Sequence, residues 1–559
     1  MRNRRGHALW VTVLVGALVF AGAFFYRFNG LGGALGGFDN DHFLHLAYAE
    51  QVQAGSQPLR DFLDSGLQGA RPSLTYELSA AAQGLFGQNL RAEALLTTGA
   101  TALGAVFVAL AAWRLVPLPW ALVTTALAVF VSSKLYGYPK VLVLAGAAWL
   151  FVRYAAQPTW RVLMMLAAWA AMAFLFRHDY AAYVGLGASV LLLTVHRSEH
   201  GTALARIVGL TLMVGVLLSP SLLWIQRYAG IGPYLGNALD MGRREAERTD
   251  ISWPTIDTSP LNGLSGWFEL EANAEAWLYY LFLSVPLLAL LLVWRQRRAL
   301  TPTAPALLAI AVMSVAVNQS FLRGSLEARF GDAAAPVAVL GAAVIVGGPR
   351  RPGRFVIRGL RFATVAVILT GTTGAVWALG SVRSELGRSG LTRSPMAVAR
   401  QAARVSNELG ALPAAAWTEA DPTPSVRAAQ YLHQCTRPND RILIMSYAPE
   451  LLVLADRRFA GGRATTIPGF YEAAAYERVT MSRLRQESVP IVLTEDGAIY
   501  EDDYPASFPL LHAYLQREYE EAGALDVNGG HRLRVFARRG VPPASRFGRD
   551  GWPCFGGRE

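Results

Sequence analysis

Lysine is almost missing from this chain. Only Lys134 and Lys140 occur in 559 residues, so 51 − 2 = 49 of the basic residues are arginine. Cysteine is as scarce: Cys435 and Cys554 both lie near the C-terminal end and form no metal-binding spacing. Charged residues make up only 16% of the chain, against about 25% in soluble domains, which excludes an ordinary soluble enzyme. Also lacking are a P-loop, a G-x-G-x-x-G turn after a strand, a G-x-S-x-G elbow and an H-E-x-x-H helix. Nucleotide hydrolysis and serine or zinc hydrolysis therefore have no support.

What the chain does have is apolar residues in blocks. They form 53% of the sequence, and mean hydropathy is +0.29. A membrane span needs about 20 such residues. Candidate spans are 8–26, 92–113, 116–133, 141–156, 161–176, 180–195, 206–224, 275–294, 302–320, 332–348 and 356–379, eleven in all. The first follows Arg2, Arg4 and Arg5, and Ala21-Gly22-Ala23 mimics a signal cleavage site. Its 18-residue uncharged core is longer than a signal core of about 7–15 residues, so it is read as a retained span.

Arginine sets the orientation. With the N-terminus inside, Arg114, Arg153, Arg161, Arg197, Arg206, Arg295-Gln296-Arg297-Arg298, Arg350, Arg351 and Arg354 all fall inside as well. The formal net charge of +11 is thus a signature of topology, and no nucleic-acid partner is expected. An odd number of spans sends residues 380–559 outside. The sequence therefore predicts a mostly α, polytopic helical bundle over 1–379, N-in and C-out, followed by a soluble extracytoplasmic α/β domain over 380–559. In that domain Arg441–Met445 and Pro490–Thr494 read as short buried strands, with helices near 396–409, 424–434, 473–486 and 508–522. His531–Arg538 reads as an added edge strand. The tail, 540–559, is rich in Gly, Pro and Arg and reads as loose, so Cys435 and Cys554 are expected as free thiols.

Polar residues gather in the outer connections. The long first one, about 27–91, holds Phe38-Asp39-Asn40-Asp41-His42 after a glycine-rich stretch. The aspartates open an amphipathic helix, His42–Ala54, which Gly55 closes. One acidic residue suffices for an N-cap; the other is available as a general base. Asp41, beside the first apolar turn, is the better cap, and Asp39, on the glycine side, the better base. His42 and His45 share a helix face, but no further His or Cys is spaced to complete a metal set, so packing or hydrogen bonding is their expected role.

The second outer connection offers Lys134, Tyr138 and Lys140, and the third Arg177-His178-Asp179. Snorkelling lysines and interfacial tyrosines account for such residues; a cradle for a lipid phosphate accounts for them equally. Arg323 in the fifth connection joins the set, although Arg323, Glu327 and Arg329 also have the spacing of a local ion cluster. Ionisable groups at membrane depth are expensive and usually functional, and these face one side.

The order of these motifs resembles the GT-C superfamily of integral-membrane glycosyltransferases, especially bacterial relatives of protein O-mannosyltransferases and aminoarabinose transferases. The resemblance covers about 8–379 and rests on Phe38-Asp39-Asn40-Asp41, Pro72-Ser73-Leu74-Thr75-Tyr76 before Gln83-Gly84-Leu85-Phe86-Gly87, Tyr138-Pro139-Lys140 and Phe176-Arg177-His178-Asp179. It implies transfer of a sugar from a polyprenyl-phosphate donor to a glycan, lipid or protein acceptor at the outer face of a bacterial inner membrane, usually with inversion. It also implies an acidic base in the first outer loop, at Asp39 or Asp41. The family often has two adjacent acidic residues there; here Asn40 intervenes, which leaves open which aspartate acts and whether a divalent metal is needed. A lipid or polysaccharide transporter would also have many spans, but no internal repeat is evident. A non-catalytic envelope scaffold leaves the polar outer loops unexplained.

Overall fold

The computed structural model describes residues 2–31, 35, 37–63, 73–131, 134–247, 253–257, 271–295, 301–323, 326–347, 355–379, 382–468, 474–496, 503–527, 530–549 and 551–556. The chain is mostly α and divides into two compact units. The first comprises 1–32, 97–221 and 246–405; the second comprises 33–96, 222–245 and 406–559.

Apolar helices build the first unit. Among the described residues eight are long and apolar enough to cross a membrane, or nine if the bent pair Val365–Leu379 and Val382–Ser389 is one span. Two further blocks form shorter helices, Leu118–Phe130 and Trp160–Phe176. Proline punctuation shortens the first: Pro117 takes its N-cap and Val131 its C-cap. The second starts at Thr159, whose side chain accepts from the Val162 N–H, and stops at Arg177. Small residues let these helices approach closely. A Cβ on Gly187 would lie 2.6 Å from the Phe151 ring and 3.1 Å from the Ala309 carbonyl oxygen. Polar ties secure the end of the first helix, Arg2–Gly30: the Asn29 amide donates to the Ser389 carbonyl at 2.8 Å and the Val398 carbonyl at 3.0 Å.

The second unit holds a five-stranded sheet of order β2-β1-β3-β5-β4. Strands β1 (Arg441–Met445), β2 (Arg458–Phe459) and β3 (Ile491–Glu495) run parallel. Strand β5 (Arg532–Arg538) is antiparallel to both β3 and β4 (Tyr519–Asp526). It is therefore an inner strand, and β4 is the edge. The helix expected over 508–522 ends at Glu518. Residue 519 onward pairs instead, because Tyr519 and Leu525 turn into the core and the Tyr519 hydroxyl donates to the Val489 carbonyl at 2.8 Å.

The described part of the tail, 540–549 and 551–556, is not loose. Strands β6 (Ser545–Phe547) and β7 (Trp552–Cys554) form a hairpin with Trp552, Cys554 and Phe555 buried. Cys435 and Cys554 are joined as a disulfide, not free. Apolar burial overrides the local Gly-Pro-Arg composition here: the Tyr431 and Trp552 rings meet at 5.1 Å, and the Phe555 N–H donates to the Cys435 carbonyl at 2.8 Å. Much of the long first connection and residues 225–245 of the fourth also belong to this unit. The Trp224 indole donates to the Pro58 carbonyl at 3.0 Å, and Asn237 bonds Tyr476.

Candidate functional site

The acidic turn lies in the second unit. Asp39, extended at φ −118° and ψ 178°, is the N-cap of the helix Asn40–Gln53, and its side chain accepts from the His42 N–H at 3.2 Å. Gly55, at φ +82°, follows the other end, as expected. The Asp41 carboxylate accepts from the Tyr447 hydroxyl. Tyr447 sits just past the carboxyl end of the parallel strand β1. The expected assignment, Asp41 as cap, is thus reversed: an N-cap must precede the first helical residue, and helix begins at Asn40, not after Asp41.

Behind this turn is a buried polar group. His42 Nε2 lies 2.9 Å from Glu93 Oε1, and the Ser79 hydroxyl donates to the same oxygen at 3.0 Å. The three side chains have essentially no exposure. Glu93 did not stand out in the sequence, although a carboxylate in the first turn of an apolar block is the signal that finds such groups. His45 packs edge-on against Tyr76 at 5.9 Å. Among the described residues no three His, Cys, Asp or Glu side chains come together as a metal set. Arg71 and Pro72 lie outside the described residues.

The cationic residues gather in the first unit. Arg177 is a single extended residue, at φ −164°, between the helices Trp160–Phe176 and His178–Val195. Its guanidinium makes a forked contact with Asp179 at 2.9 and 2.7 Å. Lys140, on the helix Tyr138–Ala156, pairs with Asp332 on the helix Leu326–Gly347, and both side chains are buried. Arg329 joins them one turn before Asp332, and all five line a small cavity of about 30 Å³. Three cations meet two carboxylates there. The buried Nε of Arg329 has no hydrogen-bond partner among the described residues. The sequence groups Arg329 only with its helical neighbours and offers no partner for Asp332.

Other expected members stand apart from this cavity. Lys134 is exposed and lies over the Tyr136 ring at 5.8 Å. Tyr138 is buried edge-on against Phe176. The His178 ring packs on Phe174 at 4.7 Å. The side chain of Arg323 lies outside the described residues.

A second cavity in the same unit, about 420 Å³, is almost wholly apolar. Leu127, Trp277, Leu281, Val285, Leu288 and Ile368 line it, with Ala334, Val337 and Gly341 from the helix Leu326–Gly347. That helix therefore carries Arg329 and Asp332 in the charged cluster and, further along, one wall of the apolar cavity.

No family model and no curated protein matches this chain. Among solved structures it is similar to ArnT from Cupriavidus metallidurans bound to undecaprenyl phosphate, at 14% identity and a TM-score of 0.44, over 96% of this chain and 98% of that one. It is also similar to the Archaeoglobus fulgidus oligosaccharyltransferase in its apo form, at 12% identity and a TM-score of 0.43, over 87% of this chain and 69% of that one. The similarity to archaeal oligosaccharyltransferase AglB from Archaeoglobus fulgidus, in complex with an inhibitory peptide and a dolichol-phosphate, is at 12% identity, a TM-score of 0.41, and 88% and 70% of the two chains.

Proposed function

We propose that this chain is a membrane glycosyltransferase that moves a sugar from a polyprenyl-phosphate donor to a glycan, lipid or protein acceptor, with inversion, on the outer face of a bacterial inner membrane. One observation carries the reading: the helix Leu326–Gly347 places a cluster with a surplus cation next to an apolar cavity in the same unit. An amphiphile with an anionic head and a long apolar tail needs both, the first for its phosphate and the second for its chain. Donor delivery by the membrane also agrees with the missing nucleotide motifs.

In this reading Lys140, Arg177 and Arg329 neutralise the phosphate as it leaves with growing negative charge. Preorganised cations in a site of low dielectric stabilise that charge more in the transition state than in the ground state. Asp41 takes the proton of the acceptor hydroxyl as its oxygen attacks the anomeric carbon. Asp39, the N-cap, holds the helix end. Residues 380–559 are extracytoplasmic, and the eleven apolar blocks are spans with the N-terminus inside.

The test is envelope glycan mass spectrometry on cells in which the gene is deleted and then complemented. A glycan or glycolipid mass should disappear on deletion, return with the wild-type gene and stay absent with Asp41→Asn. An envelope unchanged by deletion would remove the reading.

A further inference from the structure

The second unit contains a cavity of about 180 Å³ that the transfer reaction does not use. It lies between the helices Asn40–Gln53 and Leu74–Phe86, the Gln88-Asn89 turn, the 410–417 segment and the end of the helix Glu450–Ala455. Its lining mixes apolar wall with Glu50, Asp456, Gln83, Gln88, Asn89 and Trp417, and it includes no lysine or arginine. Glu50 is nine residues beyond Asp41 on one helix. Nine residues advance about 13 Å and half a turn, so the two carboxylates occupy opposite faces and different levels.

Two side chains point to a ligand. Gln83 is only 6% exposed, lines the cavity, and its amide makes no hydrogen bond among the described residues. An amide that faces a cavity keeps its donors and its acceptor available to whatever fills it. Glu50, half-buried beside it, likewise has no hydrogen bond or ion pair among the described residues. Gln88 and Asn89 are anchored locally, by the Gln53 oxygen at 3.1 Å and the Phe86 carbonyl at 3.3 Å. Trp417 is fixed by stacking on His433 at 3.8 Å and by its indole N–H to the Leu454 carbonyl at 2.7 Å. The wall is therefore rigid, while Gln83 and Glu50 keep their bonding capacity.

The chemistry selects the ligand. The Asp456 carboxylate, with no cation in the lining, disfavours phosphates and other anions. An amide both donates and accepts, a carboxylate accepts from hydroxyls, and an aromatic ring offers apolar surface to the C–H face of a sugar. Burial first, and then the nearby Asp456 carboxylate, push the Glu50 carboxyl well above the usual range against the opposing pull of Arg458, which is not in the lining, and a neutral carboxyl adds a donor. The volume is below the ~300 Å³ of a typical small-molecule pocket, which suits one ring and not an oligosaccharide. We infer that this pocket binds a single uncharged, hydroxyl-rich pyranose ring at a site distinct from the Asp41 turn, with Gln83 and Glu50 as its principal hydrogen-bonding partners.

The experiment uses the full chain in nanodiscs free of sugar-headed detergent and of donor lipid. The probes are the methyl glycosides of glucose, galactose, mannose and N-acetylglucosamine, read by saturation-transfer NMR and tryptophan fluorescence. At least one should bind saturably, and Gln83→Leu should weaken it about tenfold with an unchanged Tm. Should Gln83→Leu not fold, Asp456→Asn on the exposed rim should weaken the same glycoside. Asp41→Asn should leave binding intact while abolishing transfer, which separates failure here from failure of the transferase reading. Absence of binding by all four glycosides, displacement of a bound glycoside by methylammonium, or affinity indifferent to the pocket variants would overturn the assignment.

Discussion

The Tyr447 hydroxyl donates to the Asp41 carboxylate, joining residues 406 apart in the chain. A phenol hydrogen bond fixes the carboxylate rotamer. Asp39 meets a different fate, since its side chain is bonded to the His42 N–H at the helix end. The two aspartates of one turn thus have separable tasks. Asp41→Asn is expected to abolish sugar transfer by purified protein with little change in Tm. Tyr447→Phe should keep the fold and lower kcat/KM by about tenfold, the worth of one good hydrogen bond. Asp39→Ala should cost about 1 kcal/mol of stability and retain turnover. Loss of turnover in Asp39→Ala but not Asp41→Asn would return the base to Asp39.

Lys140 and Asp332 form a buried pair, so removing one partner strands the other. Lys140→Met should destabilise the chain by about 3–5 kcal/mol, whereas Lys140→Met with Asp332→Leu should recover most of that loss. Arg329→Gln removes the surplus cation and leaves both pairs in place. It should leave Tm nearly unchanged and lower kcat/KM for the donor. Thermal unfolding in nanodiscs and donor titration read the two effects separately. Equal donor kinetics in Arg329→Gln and wild type would take Arg329 out of the phosphate site.

These pairs show where the sequence was legible. The apolar blocks were readable because a span writes about 20 consecutive positions in one physical language; among the described residues each of the eleven blocks contains a helix, of which eight are long and apolar enough to cross a membrane, or nine with the bent pair. Strands β1 and β3 were readable because short apolar runs bounded by polar residues have few alternatives. Long-range partners were not. Which aspartate caps was set by where helix begins, and what holds Asp41 was set by Tyr447 in another part of the chain. Lys140 stood out by rarity, yet its partner Asp332 lies 192 residues away. Glu93 carries its own signal, a carboxylate at the start of an apolar block, but nothing local in the sequence names His42 and Ser79 as its partners. The tail reads as loose because glycine and proline describe local freedom, while Trp552 and Phe555 are buried by tertiary contacts.

The disulfide yields a third expectation. Cys435 and Cys554 are 119 residues apart, and a crosslink closing so long a loop stabilises by about 2–4 kcal/mol in typical measurements. Non-reducing mass spectrometry should find no free thiol. Changing both cysteines to serine should lower Tm and expose the Tyr431–Trp552 contact to solvent, read as a shift in tryptophan emission. Two titratable thiols in the untreated protein would contradict the pairing.

Glu450 gives the last prediction, a dependence of stability on pH. Its side chain is buried at the start of the helix Glu450–Ala455. One oxygen lies 3.4 Å from the Ser425 hydroxyl, and the other has no hydrogen-bond partner among the described residues. Burial pushes its carboxyl up to about 7 from an ordinary value of 4.5. Below the ordinary value both folded and unfolded chains carry the proton, and this group makes no pH-dependent difference. Between the two values the unfolded chain releases its proton and the folded chain keeps it, so rising pH favours unfolding. Once pH passes the folded value the loss is complete, and at about 1.4 kcal/mol per unit it amounts to about 3 kcal/mol. Glu450→Gln keeps the neutral shape and the Ser425 contact while removing the titration. The variant should match wild type near pH 4.5 and exceed it in Tm above pH 7. Parallel Tm profiles across that range would mean that Glu450 is ionised in the fold, with its second oxygen satisfied by solvent.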